Sequence, residues 1–136
     1  MVYILVQRMG NSFSGAIPPK CINFEYMLKR HSHAILITTI SDTQGTHRIQ
    51  NTLSPETEVD TINRCLASLE NTEIIVYGLN CADTMAFKKY EQLVSFGFTD
   101  VKIYCGGLFE WMLLQDIYGV ETFHTNHRVD DMLKYK

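Results

Sequence analysis

Apolar positions along the chain fall into two kinds of run. Residues 34–40 and Ile74–Tyr77 are continuously apolar or β-branched. They lack the polar alternation of a one-sided strand, so both predict strands covered on two faces, as in a parallel sheet. Val101–Tyr104 predicts a third strand, closed by Gly106-Gly107. Between them the period changes to that of a helix. Phe24, Met27 and Leu28 share one face of a short helix over 24–30, which Asn23 can cap. Ser54-Pro55-Glu56-Thr57 is a start signal, with serine at the cap, proline at the first helical position and acid in the first turn. It predicts a helix over 55–69 burying Val59, Ile62, Leu66 and Leu69. A stripe of Ala86, Tyr90, Leu93 and Val94 predicts a helix over 85–96, stopped by Gly97. Residues 108–118 predict a strongly apolar helix that carries Trp111. Strand and helix alternate, which is the pattern of an α/β fold with helices on both faces of a mostly parallel central sheet.

The 136 residues suit one domain and one continuous core. Residues 1–21 predict an N-terminal arm and loop, because 10–20 hold two Gly, two Ser and Pro18-Pro19. The domain proper is expected over 22–119, followed by a tail over 120–136 that packs on the domain or on a partner. With 46% hydrophobic and 20% charged residues the chain has ample apolar surface to fold. A net charge of -3 without any Lys/Arg run argues against nucleic acid as a partner. The apolar run 2–6 is too short for a membrane span or a signal-peptide core, so it reads as an added strand or a docking arm. Met9-Gly10-Asn11-Ser12-Phe13-Ser14 would match an N-myristoylation signal on Gly10 if translation began at Met9. Cys21, Cys65, Cys81 and Cys105 form no CxxC pair and no zinc-like spacing, and are expected to be reduced thiols in an intracellular, cytosol-like compartment.

From Glu73 to Gly119 the order of parts becomes specific. Ile74-Ile75-Val76-Tyr77 is followed by a six-residue loop, Gly78, Leu79, Asn80, Cys81, Ala82 and Asp83. Then come Ser95-Phe96-Gly97-Phe98, Val101-Lys102-Ile103-Tyr104, and Gly106-Gly107-Leu108-Phe109-Glu110-Trp111. This stretch resembles the C-terminal half of rhodanese-like domains, and a looser resemblance runs through Ile35-Leu36-Ile37-Thr38-Thr39 and Arg48-Ile49-Gln50-Asn51-Thr52-Leu53. The resemblance covers roughly residues 22–119 and implies a rhodanese-like fold. In active members, it further implies, a cysteine after the strand carries sulfur as a persulfide, and loop NH groups with a helix N-terminus stabilise the anion.

Here the cysteine position is Gly78, and the position where an arginine commonly closes the loop is Asp83. Glycine offers no nucleophile, and an Asp83 carboxylate would stand where an anionic substrate belongs. Alternatively, Asp83 or Thr84 is simply the cap of the next helix. The expectation is a non-catalytic module, leaning away from an enzyme, that acts as a protein-binding or structural subunit with a protein partner or larger assembly and no cofactor. The alternative is a sulfurtransferase or persulfide carrier using Cys81 as a displaced nucleophile. No Lys, Arg or His lies between Tyr77 and Phe87 to lower that thiol's pKa. A third reading, a domain that binds a small anion without turnover, would need a cation near the loop, for which Arg48 is the candidate.

Cys105 and Cys65 read as small apolar filler. His124 and His127 could share a helical face, but no third ligand is placed by spacing, so no metal is expected. His31 and His33 flank a helix end. Phe109 and Trp111 cannot both face inward on one helix, so Phe109, Trp111 and Phe123 are the expected partner surface.

Overall fold

Ile74–Tyr77 is the most deeply buried strand, and it takes the centre of the sheet. The computed structural model describes residues 19–44, 46–68, 71–127 and 131–136. Among these, the elements in chain order are β1 (Cys21–Ile22), α1 (Phe24–Lys29), β2 (Ile35–Thr38), α2 (Pro55–Ser68), β3 (Ile74–Tyr77), α3 (Met85–Ser95), β4 (Val101–Tyr104), α4 (Gly107–Tyr118) and a final 3-10 turn (Met132–Tyr135). The sheet order is β1-β4-β3-β2, and every pairing is parallel. The chain is thus an α/β protein with an all-parallel central sheet.

Side chains of successive strand residues leave opposite faces, which divides the core in two. Leu36, Ile75, Tyr77 and Tyr104 join α1 and α4 through Met27, Leu108, Trp111 and Met112. Ile37, Ile74, Val76, Val101 and Ile103 join α2 and α3 through Ile62, Ala86 and Leu93. Two helices therefore cover each face, which is why the strands carry no polar alternation. Val59 and Leu66 are only half-buried, and Leu69 lies outside the described residues. The arm over 2–6 and the motif at Gly10 also lie outside them.

Two sequence expectations are corrected by the topology. β1 is a two-residue edge strand, with Cys21 opposite Ile103 in the parallel register. That register brings Cys21 beside the residue just beyond the end of β4, and Cys21 and Cys105 form a disulfide across 84 residues. The expectation of four reduced thiols thus fails for this pair. Cys65 and Cys81 remain free. Local spacing cannot reveal a cross-link created by strand order. The second correction concerns the aromatic partner surface. Trp111 and Phe123 are both 2% exposed, with ring centroids 4.9 Å apart, and Phe109 is half-buried against the same core.

The tail explains that burial. After Gly119 the chain turns back along the loop before α2, where Gln50 N donates to His124 O and Asn126 N to Arg48 O. Asn126 Nδ2 donates to Thr46 O, and Trp111 Nε1 donates to His124 O. Phe123 is thereby folded onto Trp111 and Phe24.

Candidate functional site

β3 ends at the sheet's carboxyl edge, and the loop 78–83 carries the chain from there into α3. In open α/β sheets this edge is where ligand crevices form. The first constraint on the loop is a close approach from α4. Leu108 N donates to Gly78 O at 3.0 Å and Phe109 N to Leu79 O at 2.8 Å. The start of α4 thus spends its free NH groups on loop carbonyls. Gly107, at φ 69, makes the approach possible, since a β-carbon there would stand 2.8 Å from both Asn80 N and Gly78 O.

Asp83 supplies the second constraint. Its Oδ2 accepts from Leu79 N and its Oδ1 from Met85 N, both at 2.9 Å. One carboxylate thus closes the loop on itself and caps α3. Thr84, the other candidate cap, makes no side-chain cap bond. Asn80 ties up more of the loop, with its Oδ1 accepting from Ala82 N at 2.9 Å and its carbonyl from Asp83 N at 3.2 Å. The NH groups of 79, 82, 83 and 85 are therefore already engaged by acceptors of the same loop. An incoming oxyanion would have to displace the Asp83 carboxylate or the Asn80 oxygens to use them.

Gly78 fits this arrangement by lacking a side chain. A β-carbon at 78 would lie 2.5 Å from Asp83 Oδ2, 2.9 Å from its Cγ and 3.2 Å from Thr39 Oγ1. The loop as built has no room for a cysteine where the resemblance calls for one. Leu79 and Ala82 add only apolar side chains. Cys81 is exposed and free.

Around the loop stand groups that sequence reasoning missed. Asn80 Nδ2 donates to Tyr135 O at 3.2 Å, so the final 3-10 turn lies against the loop. Tyr135 is 3% exposed and stacks on His47, whose ring is also met edge-on by His127 at 5.1 Å. His47 is 1% exposed, and neither ring nitrogen has a hydrogen-bond partner among the described residues. Burial, with His127 and Arg48 adding repulsion, pushes its pKa down to about 4. Arg48, the candidate loop cation, is buried and paired to Asp42 at 2.8 Å. Tyr77 takes Ile49 N at 3.1 Å and Thr52 Oγ1 at 2.7 Å on its hydroxyl, and burial pushes its pKa up. His124 and His127 lie outside any described helix, so they share no helical face, and the His127 ring packs against His47.

A separate polar cluster lies at the amino edge of the sheet. Lys102, 3% exposed in β4, bonds to Glu73 at 2.5 Å and to Asp100, while Tyr26 donates to Glu73. Burial works against charge on Lys102, but the bonds to Asp100 and Glu73 outweigh it and raise its pKa. The available signal for this cluster was a lysine inside an otherwise apolar strand.

This geometry defines an α/β domain with a closed loop at the carboxyl edge of a parallel sheet, and comparison with solved structures supports the same fold. The chain resembles the BH2092 protein of Bacillus halodurans at 21% identity and a TM-score of 0.54, covering 69% of this chain and 72% of that one. It also resembles a protein from Lactobacillus plantarum (17% identity, TM-score 0.51, 69% and 82% covered). A third similar structure is the Alr3790 protein of Anabaena sp. (24%, 0.50, 79% and 78%). No protein-family model and no curated protein matches the chain. No described helix is long and apolar enough to cross a membrane.

Proposed function

We propose that the chain is a non-catalytic rhodanese-like module, a protein-binding or structural subunit whose sulfur-transfer loop is filled by its own side chain. The observation that carries this reading is the Asp83 carboxylate bonded to Leu79 N and Met85 N directly above the Cα of Gly78. A persulfide cradle needs a thiolate and a set of unspent NH donors. At position 78 there is no thiol, and the donors of 79, 82, 83 and 85 are engaged within the loop. The 3-10 turn leaning on Asn80 adds a further barrier to a substrate. With the crevice occupied, a role in holding a protein partner within a larger assembly suits the chain better than turnover.

The competing reading, persulfide carriage on Cys81, draws on that thiol's exposure and its place in the loop. Both readings are tested by thiosulfate:cyanide sulfurtransferase activity of the purified chain beside Cys81→Ser, with mass spectrometry of the Cys81 peptide. The expected result is no turnover and no added sulfur. Activity that disappears in Cys81→Ser would overturn the proposal and make the protein an enzyme with a displaced nucleophile.

A further inference from the structure

A cavity of about 290 Å³ opens between the end of α1, the loop before α2 and the returning tail, away from the 78–83 loop. Its volume is just below the ~300–1,000 Å³ usual for small-molecule sites, which limits the ligand to a small one. Arg30, His31, Gln50, Asn51 and His124 line it, and Trp111, 2% exposed, reaches it with little more than an edge. We infer that this cavity binds a small organic oxyanion, with the anionic group held by Arg30 and the carbon body lying against Leu28 and Ala34.

Charge balance is the first argument. Among the described residues lining the cavity there is one arginine, there are two histidines, and there is no carboxylate. Arg30 is half-buried and makes no ion pair among the described residues. Among the described residues its Nη1 donates to the Met27 carbonyl, leaving most of the five donors of a guanidinium for another acceptor. Removal from water disfavours its charge and lowers its pKa, the nearby Tyr77 opposing only in part. A cation that has lost water without gaining a counter-ion favours an anionic ligand, and a guanidinium fork favours a planar or tetrahedral oxyanion taken by two parallel bonds.

The walls supply the second argument. Ser32 and Thr122 add hydroxyls, while Leu28 and Ala34 give the cavity apolar surface, the Trp111 indole being almost wholly covered by the core. Trp111 Nε1 is committed to His124 O, so the indole offers the cavity no donor. A bare inorganic ion would leave the Leu28 and Ala34 surface wet, whereas a molecule with a carbon body covers it. Asn51, at φ 69, is the one non-glycine residue with positive φ among the described residues, and it stands at this rim beside Gln50.

Trp111 is the chain's single tryptophan, so the cavity carries its own reporter. Titration of the full chain with phenyl phosphate and with benzoate, at constant ionic strength, should change Trp111 fluorescence saturably. Half-saturation is expected at about 1 mM or below for at least one of the two, which identifies the anion class. Arg30→Gln should weaken that binding about tenfold or more, and Arg30→Lys less. His124→Asn, an exposed position that leaves the Arg30–Met27 bond intact, should weaken it about threefold or more and covers the case in which Arg30→Gln unfolds the chain. An Arg64→Gln control on the exposed face of α2 should bind like the parent. Absence of a saturable change with both probes would overturn the inference. Equal affinities in the parent and His124→Asn, or in the parent and a folded Arg30→Gln, would overturn it too. Inorganic phosphate that binds as tightly as phenyl phosphate would refute the role given to the apolar wall of Leu28 and Ala34.

Discussion

Replacing Gly78 by alanine tests whether the glycine and Asp83 act as one unit. Gly78 does not have the left-handed φ that would forbid a side chain. On backbone grounds alone the substitution should therefore stabilise by about 0.4–1 kcal/mol, through the unfolded chain. Packing acts the other way, because the new methyl would meet Asp83 Oδ2 at 2.5 Å and Cγ at 2.9 Å. Asp83 can retreat only by giving up its bonds to Leu79 N and Met85 N. Loss of a cap of this kind costs about 0.5–2 kcal/mol, and overpacking about 1–3 kcal/mol. The clash outweighs the entropy, and a net loss of about 1–2 kcal/mol is expected for Gly78→Ala. Asp83→Ala alone should lose about 1–2 kcal/mol with its cap. In the double variant the clash has no object, so alanine at 78 should be neutral or mildly stabilising. Urea unfolding of the four proteins, compared by midpoint at unchanged slope, gives the coupling. The expected coupling is about 1 kcal/mol or more, and losses that add to within about 0.5 kcal/mol would refute the account.

Three further outcomes follow from the same structure. His47 is held neutral in the folded chain, with its pKa pushed from 6.5 to about 4. The unfolded chain then binds more protons between those values, so stability should fall as pH drops from about 6.5 towards 4, by about 1–3 kcal/mol. His47→Gln should flatten that part of a pH series of thermal midpoints, and an unchanged profile would refute the assignment. Lys102→Met leaves Glu73 and Asp100 without their buried cation and should cost about 3–5 kcal/mol; Glu73→Gln in the same chain should recover part of it, and no recovery would argue against the pair. Deletion of residues 131–136 removes the Tyr135 contact with His47 and its bond from Asn80, and should cost about 1.5–3 kcal/mol without creating sulfurtransferase activity. A truncated chain as stable as the parent would show that the tail merely rests on the domain.

The elements legible in the sequence are those whose signal is local. Ile74–Tyr77 and Val101–Tyr104 were readable because both faces of each strand are covered, and Pro55 marked a helix start whatever the tertiary structure. The glycine at 78 and the aspartate at 83 were readable as departures from an expected loop, but their mutual fit was not, because it depends on a 2.5 Å approach across five positions. β1 escaped notice because two residues have no period, and the Cys21–Cys105 bond depends on which strand β1 joins. Trp111 and Phe123 looked available to a partner because helical arithmetic cannot foresee that the tail returns to cover them. The Arg30 cavity draws its walls from the end of α1, the 50–51 turn, α4 and the tail, so no contiguous motif announces it.

The Cys21–Cys105 bond makes a closed covalent ring of most of the domain. A protease that cuts the exposed stretch 41–44, or the exposed Cys81 turn, would cut inside that ring. The two pieces would then stay one molecule, tied at the edge of the sheet, and would run as intact chain until a reductant was added. Damage to this protein is therefore silent in oxidising surroundings and separates the pieces only in reducing ones, so the thiol balance around it decides whether a nicked copy persists.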